Sequence, residues 1–154
     1  MLKYAKCHKA MNRFLKTGRI GSIGHISCID RREPASSEAA GTEYYAAAGA
    51  SQIAAICELL GHSPVSVTAR TRGTDGAASV QIFLRLDEQT RIHYFATFDA
   101  APAEHQLWIE GSNGSLQTDG NSVWWRKRGW PKFVPTRIGL FRARSDTPVA
   151  NAAI

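Results

Sequence analysis

Along residues 3–17 the apolar side chains Tyr4, Cys7, Met11, Phe14 and Leu15 recur on one side while lysines occupy the other. That is the rhythm of an amphipathic helix, and Gly18 stands where a C-terminal glycine cap belongs. The chain then turns through Gly21 into a strand expected at about 23–31. Residues 32–43, small, polar and punctuated by Gly and Pro, read as a loop. From Gly49 to Gly61 the apolar positions Ala50, Ile53, Ala54, Cys57 and Leu60 predict a second helix, with Gly61 as its cap and Pro64 after the stop.

Beyond it the period changes to two. Val65, Val67, Ala69 and Thr71 alternate with Ser66, Thr68 and Arg70. The Asp-Gly of "RGTDGA" marks a hairpin turn. Val80, Ile82, Leu84 and Leu86 alternate with Ser79, Gln81, Phe83 and Arg85, and after "DEQT" Ile92, Tyr94, Ala96 and Phe98 alternate with His93, Phe95 and Thr97. "HQLWIEG" and "SVWWRKR" read as strands, with "SNGSLQTDGN" between them as a pair of glycine-marked turns. The tail after Trp130, with Pro131, Pro135 and Pro148, is expected to be extended, and frayed over 144–154.

Runs of strands beside segregated helices predict an α+β fold: an open, mostly antiparallel sheet of about six strands with helices packed on one face. The other face then carries Phe83, Phe95, Trp108 and Trp124. An aromatic face that no helix covers marks an interface, and a homo-oligomer built through it is the expectation.

Composition changes this picture little. With 154 residues, 44% hydrophobic and 21% charged, the chain suits one ordinary globular domain, here 1–143. No run approaches the length of a membrane span, and the N-terminal segment has charges throughout and no apolar core of a signal peptide. Cys7, Cys28 and Cys57 are far apart and odd in number, which suggests reduced thiols in the cytoplasm. No cysteine–histidine spacing fits a metal site. The net charge is +6, and nine of its cations fall in two places: Lys3, Lys6, Lys9, Arg13 and Lys16, then Arg126, Lys127, Arg128 and Lys132. These read as a solvated helix face and a charged loop. Nucleic-acid binding through "WWRKRGWPKF" is disfavoured, because the run ends a strand beside a proline tail and has no second platform.

Three segments, in order, resemble one known domain. "FLKTGRIGSIGHI" is similar to a helix followed by Gly-x-Ile-Gly-x-Ile. "ELLGHSPVSVTAR" resembles Leu-x-Gly-x-x-Pro-x-x-Val-x-Ala, and "LWIEGSNGSLQTDGNSVWW" resembles Ile-x-Gly-x-x-Gly-x-Leu-x-x-Asp. Together they resemble the C-terminal domain of the glucose–fructose oxidoreductase / inositol dehydrogenase (Gfo/Idh/MocA) family, over residues 4 to about 126. The resemblance implies NAD(P)-dependent hydride transfer on sugars, polyols or similar hydroxy compounds, with this domain supplying the substrate-side wall and the oligomerisation sheet. The family's N-terminal Rossmann domain, with its GxGxxG turn and Glu-Lys-Pro lysine, has no counterpart here. Lys132 follows a Pro instead of preceding one, so it is not that lysine. No cofactor is expected to bind this chain alone, and a separate Rossmann-domain chain is a possible partner.

The family's Asp-x-Gly-x-His at the start of the second helix is also missing. Aligned on Gly49, the Asp position is Ala47, the His position is Ser51, and a later Asp is Ala54. An alanine moves no proton, and a serine without a base is a poor acid or base. No catalytic residue is therefore assigned, and the chain alone is expected to be inactive. Tyr4, Tyr44, Tyr45, Ser51 and Gln52 are the candidates to line a substrate pocket. Tyr4 aligns with an aromatic of the family's domain border, whose flanking Arg and Pro are absent here. His25, His93 and His105 read as sheet residues and His62 as a solvent-facing turn residue. The competing expectation is a non-catalytic binding or assembly module that dimerises through the aromatic face.

Overall fold

The computed structural model describes residues 5–32, 42–72, 79–97 and 103–136. Its elements are α1 (Ala5–Leu15), β1 (Ile23–Arg31), α2 (Thr42–Leu60), β2 (Ser66–Arg72), β3 (Ser79–Arg85), β4 (Arg91–Thr97), β5 (Glu104–Gly111), β6 (Gly114–Thr118), β7 (Val123–Lys127) and β8 (Val134–Pro135). The strands form one open sheet in the order β2-β3-β4-β1-β5-β6-β7-β8. Every pairing is antiparallel except β1 against β4. The expected α+β architecture is present, with both helices on one face.

The sheet has eight strands, not about six. Gly114–Thr118, expected as turns, is β6: Gly114, Leu116 and Thr118 alternate inward with burial, a period hidden by its Gly, Ser and Thr composition. β8 is two residues long, pairing Val134 with Trp125 and Pro135 with Trp124. Thr136 then bonds Val123 through its backbone N (2.9 Å) and Oγ1 (3.1 Å). The frayed tail expected at 144–154, and all of 137–154, lie outside the described residues.

α2 begins at Thr42 rather than Gly49. Thr42 and Glu43 suit a helix start, Ala46–Ala48 favour helix, and Gly49 lies inside. Its buried face is also turned by about one residue from the expected stripe. Gly49, Gln52, Ala55, Ile56 and Leu59 face the sheet, whereas Ala50 and Ala54 are exposed and Ile53, Cys57 and Leu60 are half-buried. Apolar residues surround much of this helix, so periodicity alone leaves its face open. Close packing decides it: a Cβ at Gly49 would lie 3.5 Å from Cε1 of Tyr94.

The core lies between helices and sheet. Met11 and Phe14 of α1 and Ile56 of α2 pack with Ile26, Cys28, Ile92, Tyr94, Leu107, Ile109 and Leu116. Each such buried side chain contributes roughly 1.5–3 kcal/mol relative to exposure. The helices do not cover the edge strand β2, where all seven residues are exposed despite their alternation. Gly18 and Gly61 have positive φ (69° and 70°) and cap α1 and α2. At α2 the His62 N–H returns to the Cys57 carbonyl at 3.2 Å, closing a Schellman-type turn.

Two of the recognised motifs meet in space. The Ser112 N–H donates to the Ser22 carbonyl (2.9 Å), and the Asn113 N–H to the Ile20 carbonyl (2.9 Å). Ser22 N–H donates to Ser112 Oγ at 3.2 Å. The approach is so close that a Cβ at Gly111 would overlap the Ile20 carbonyl oxygen, and one at Gly114 the Arg126 carbonyl oxygen. Gly21, at φ 73°, faces the Ser112 side chain, and a Cβ there would overlap its Oγ. The glycine spacing thus fastens the end of α1 to the β5–β6 turn.

Candidate functional site

The carboxyl end of β1 carries Asp30 on the inward face, in phase with Ile26 and Cys28. Its cross-strand neighbours are Ala96 of β4 and His105 of β5. Asp30 is 1% exposed, so its charge must be compensated by a partner. Arg32, on the same side of the chain, donates from Nε (2.8 Å) and Nη2 (2.6 Å) to Oδ2. The Tyr94 hydroxyl donates to the same oxygen at 3.3 Å. Oδ1 has no hydrogen-bond donor among the described residues and lies 3.9 Å from Nδ1 of His105.

Apart from Arg32, the shifted groups around this carboxylate are all biased toward their neutral forms. Burial pushes His105 down to about 4, with the neighbouring His8 adding to the effect. Burial lowers His8 as well, and the two imidazole rings stand 6.0 Å apart. Burial, and then the Asp30 charge, raise both the Cys28 thiol and the Tyr94 phenol. Gly49 of α2 rests on the Tyr94 ring, and Gln52, one turn on, is 3% exposed. The result is a closed polar cluster joining α1, α2, β1, β4 and β5. It pins the end of the sheet; apart from the half-buried Arg32 it presents no titratable group to solvent.

The expected pocket residues divide around this cluster. Gln52 is buried against the sheet, whereas Ser51 is exposed on the outer side of α2. Ala47 lies one helical turn before Ser51, and Ala50 and Ala54 are exposed beside it. The described outer surface of the first half of α2 is therefore small and carries no proton-transfer group. Tyr4 lies outside the described residues, as do the side chains of Tyr44, Tyr45 and Ala47. Asp30, Arg32, Tyr94, His8 and His105 were not singled out as a group from sequence. One signal was available: a charged residue on the inward parity of an apolar strand, Ile26–Cys28–Asp30.

The four aromatics fall on the open face. Register places Phe83, His93, Ser27, Trp108, Gln117 and Trp124 in one row across the sheet, with Phe95 one pleat away. Phe83 and Trp108 are 43% and 47% exposed, and the Phe83 and His93 rings stack 4.6 Å apart. His25 and His93 are strand residues of this face and His62 is an exposed turn residue. At the opposite end of the sheet, a hollow of about 280 Å³ is lined by His62, Asp87 and Thr90. The Asp87 carboxylate there accepts bonds from the Gln89 and Thr90 N–H groups (2.8 and 2.6 Å), so it is committed to its turn. All three cysteines are free. Among the described residues no group of three His, Cys, Asp or Glu could hold a metal ion, and no helix is long and apolar enough to cross a membrane.

The usual cradle of a dinucleotide is a glycine-rich turn from a parallel strand into a helix N-terminus, and the described residues form none. The positive-φ glycines here lie after helix ends and in strand turns.

No protein-family model matches the chain, and no curated protein matches it. Solved structures do. The UDP-N-acetylglucosamine 3-dehydrogenase of Acidithiobacillus ferrooxidans is 14% identical with a TM-score of 0.69, over 88% of this chain and 45% of that one. An inositol dehydrogenase homolog of Azotobacter vinelandii, complexed with NADH and myo-inositol, is 11% identical with a TM-score of 0.66, over 86% and 41%. An oxidoreductase of Pseudomonas syringae is 10% identical with a TM-score of 0.68, over 86% and 40%. At such identities the likeness is one of fold. This chain spans less than half the length of each of these proteins. The neighbours are dehydrogenases of the Gfo/Idh/MocA type, in agreement with the resemblance carried by the three motifs.

Proposed function

We propose that the chain is the substrate-side and oligomerisation domain of an NAD(P)-dependent oxidoreductase acting on sugars, polyols or similar hydroxy compounds. On this reading the domain is stand-alone or truncated, the nucleotide and the hydride transfer belong to a Rossmann domain, and residues 1–154 are inactive without it. The observation that carries the proposal is the outer surface of α2. Ala50, Ser51 and Ala54 stand in the helix whose counterpart, by the motif resemblance, holds the proton-handling Asp and His. The fold supports the parentage. Three free thiols suit the reducing cytoplasm, where we place the protein.

The test is an absorbance assay with NAD or NADP and a panel of sugars and polyols, together with calorimetric titration of both nucleotides. No turnover and no nucleotide binding are expected of the chain alone. Turnover by the isolated polypeptide sinks the proposal.

The exposed aromatic row favours a second reading, an assembly module that dimerises through the open face. Sedimentation should then show a dimer for the native chain and a monomer for Trp108→Glu with Phe83→Glu. A native monomer removes that reading.

A further inference from the structure

We infer that the outer face of α1, continued by the turn after β7, is a track for single-stranded nucleic acid, a function separate from the dehydrogenase reading. Lys6, Lys9, Arg13 and Lys16 are all exposed. At 100° per residue they fall within an arc of about 80°, opposite the buried Cys7, Met11 and Phe14, and extend over about 15 Å of helix. A groove of about 370 Å³ between α1 and α2 runs beside them, with Glu58 as the one acidic residue lining it.

The row does not stop at the helix end. The Arg19 guanidinium lies 5.7 Å from the Trp125 ring centroid, and Trp125 packs on Trp130 at 5.3 Å. Trp130 is 44% exposed, and its N–H closes the turn on the Lys127 carbonyl at 3.0 Å. Lys127 and Arg128 are exposed beside it. Among the described residues none of these seven cations is in an ion pair. The basic aromatic run of β7 stood alone in the sequence; in the fold α1 adds a second row of cations to it.

The chemistry of the surface selects the occupant. Unpaired cations in line beside an exposed indole provide backbone neutralisation and a stacking surface that accepts any base. The centre of a protein interface is depleted in lysine and built on apolar groups, and the exposed stripe of α1 has no apolar residue. Insertion into a membrane surface would need an apolar helix face as well.

The experiment is fluorescence anisotropy of the full chain with a fluorescein-labelled oligothymidylate, at salt from about 50 to 200 mM. Contact with about five phosphates gives a log–log salt slope near about −3.5. The double reversal Lys9→Glu with Arg13→Glu should weaken binding by tenfold or more and reduce the slope by about 1.4. Trp130→Ala should weaken it about tenfold at an unchanged slope. Arg70→Glu with Arg85→Glu, at the far edge of the sheet, should leave binding as it was, with thermal melts confirming that each variant folds. The inference is overturned by absence of binding, by an equal loss from the far-edge reversal, or by equally strong binding to polyglutamate or to phosphatidylserine vesicles.

Discussion

The glycine staple and the first half of α2 make an instructive pair. Both lie in segments that carry the family resemblance. At the staple, Ile20–Ser22 and Gly111–Gly114 are held by three hydrogen bonds and by approaches that only glycine allows. At α2 the helix rests through Gly49 on Tyr94, and the described exposed positions 50, 51 and 54 are alanine, serine and alanine. The positions held by backbone contact carry the glycines of the motifs that the chain resembles. On the proposed reading the positions that would need chemistry do not match, so the resemblance rests on fold-making residues.

If that contrast is right, substitution costs should differ steeply between the regions. Gly111→Ala or Gly114→Ala forces a Cβ into a backbone carbonyl and should cost roughly 3 kcal/mol or more, read as a lower urea midpoint. A loss under about 0.5 kcal/mol, the range of an ordinary surface change, breaks the account of the staple. Asp30→Ala, in the polar cluster beneath α2, leaves Arg32 without its carboxylate and Tyr94 without its acceptor. A loss of about 3 kcal/mol is expected from the same denaturation curves, whereas Tyr94→Phe should lose only about 1 kcal/mol.

The cluster also predicts a pH dependence. His105 titrates near 4 in the folded chain against 6.5 when unfolded. Below pH 6.5 the unfolded state therefore binds the extra proton, and folding stability falls as pH drops from about 6.5 to about 4. The full effect approaches about 3 kcal/mol, and His105→Gln should flatten that part of the stability–pH curve. Smallest of all, Ala54→Ser on the outer side of α2 should change stability by less than about 0.5 kcal/mol. A larger loss in thermal melts would mean that this surface is packed against something.

Much of the sheet was readable because its signals are local. The alternation in β3 and β4 and the caps at Gly18 and Gly61 each depend on neighbours a few residues away. What escaped depends on distant partners. The buried side of α2 is set by Tyr94, and β6 shows its period only once Leu116 and Thr118 meet the core. Asp30 and His105 become a pair only through the β1–β5 register. Of the pocket candidates, sequence spacing placed Ser51 and Gln52 in one helix, but the rotation of that helix decided which was exposed.

The position of β1 has a consequence for how the chain assembles. β2–β3–β4 and β5–β6–β7 are two ribbons whose strands pair with sequence neighbours, and each can begin to form as soon as its own residues are present. The strand between them precedes both in the chain, and its pairings join His25 with Arg91 and Asp30 with His105. These loop closures are costly and slow the search for the native topology. β1 therefore has to wait until Gly111, the last residue of β5, has been made before both its neighbours exist, and its docking is the step that turns two half-sheets into one.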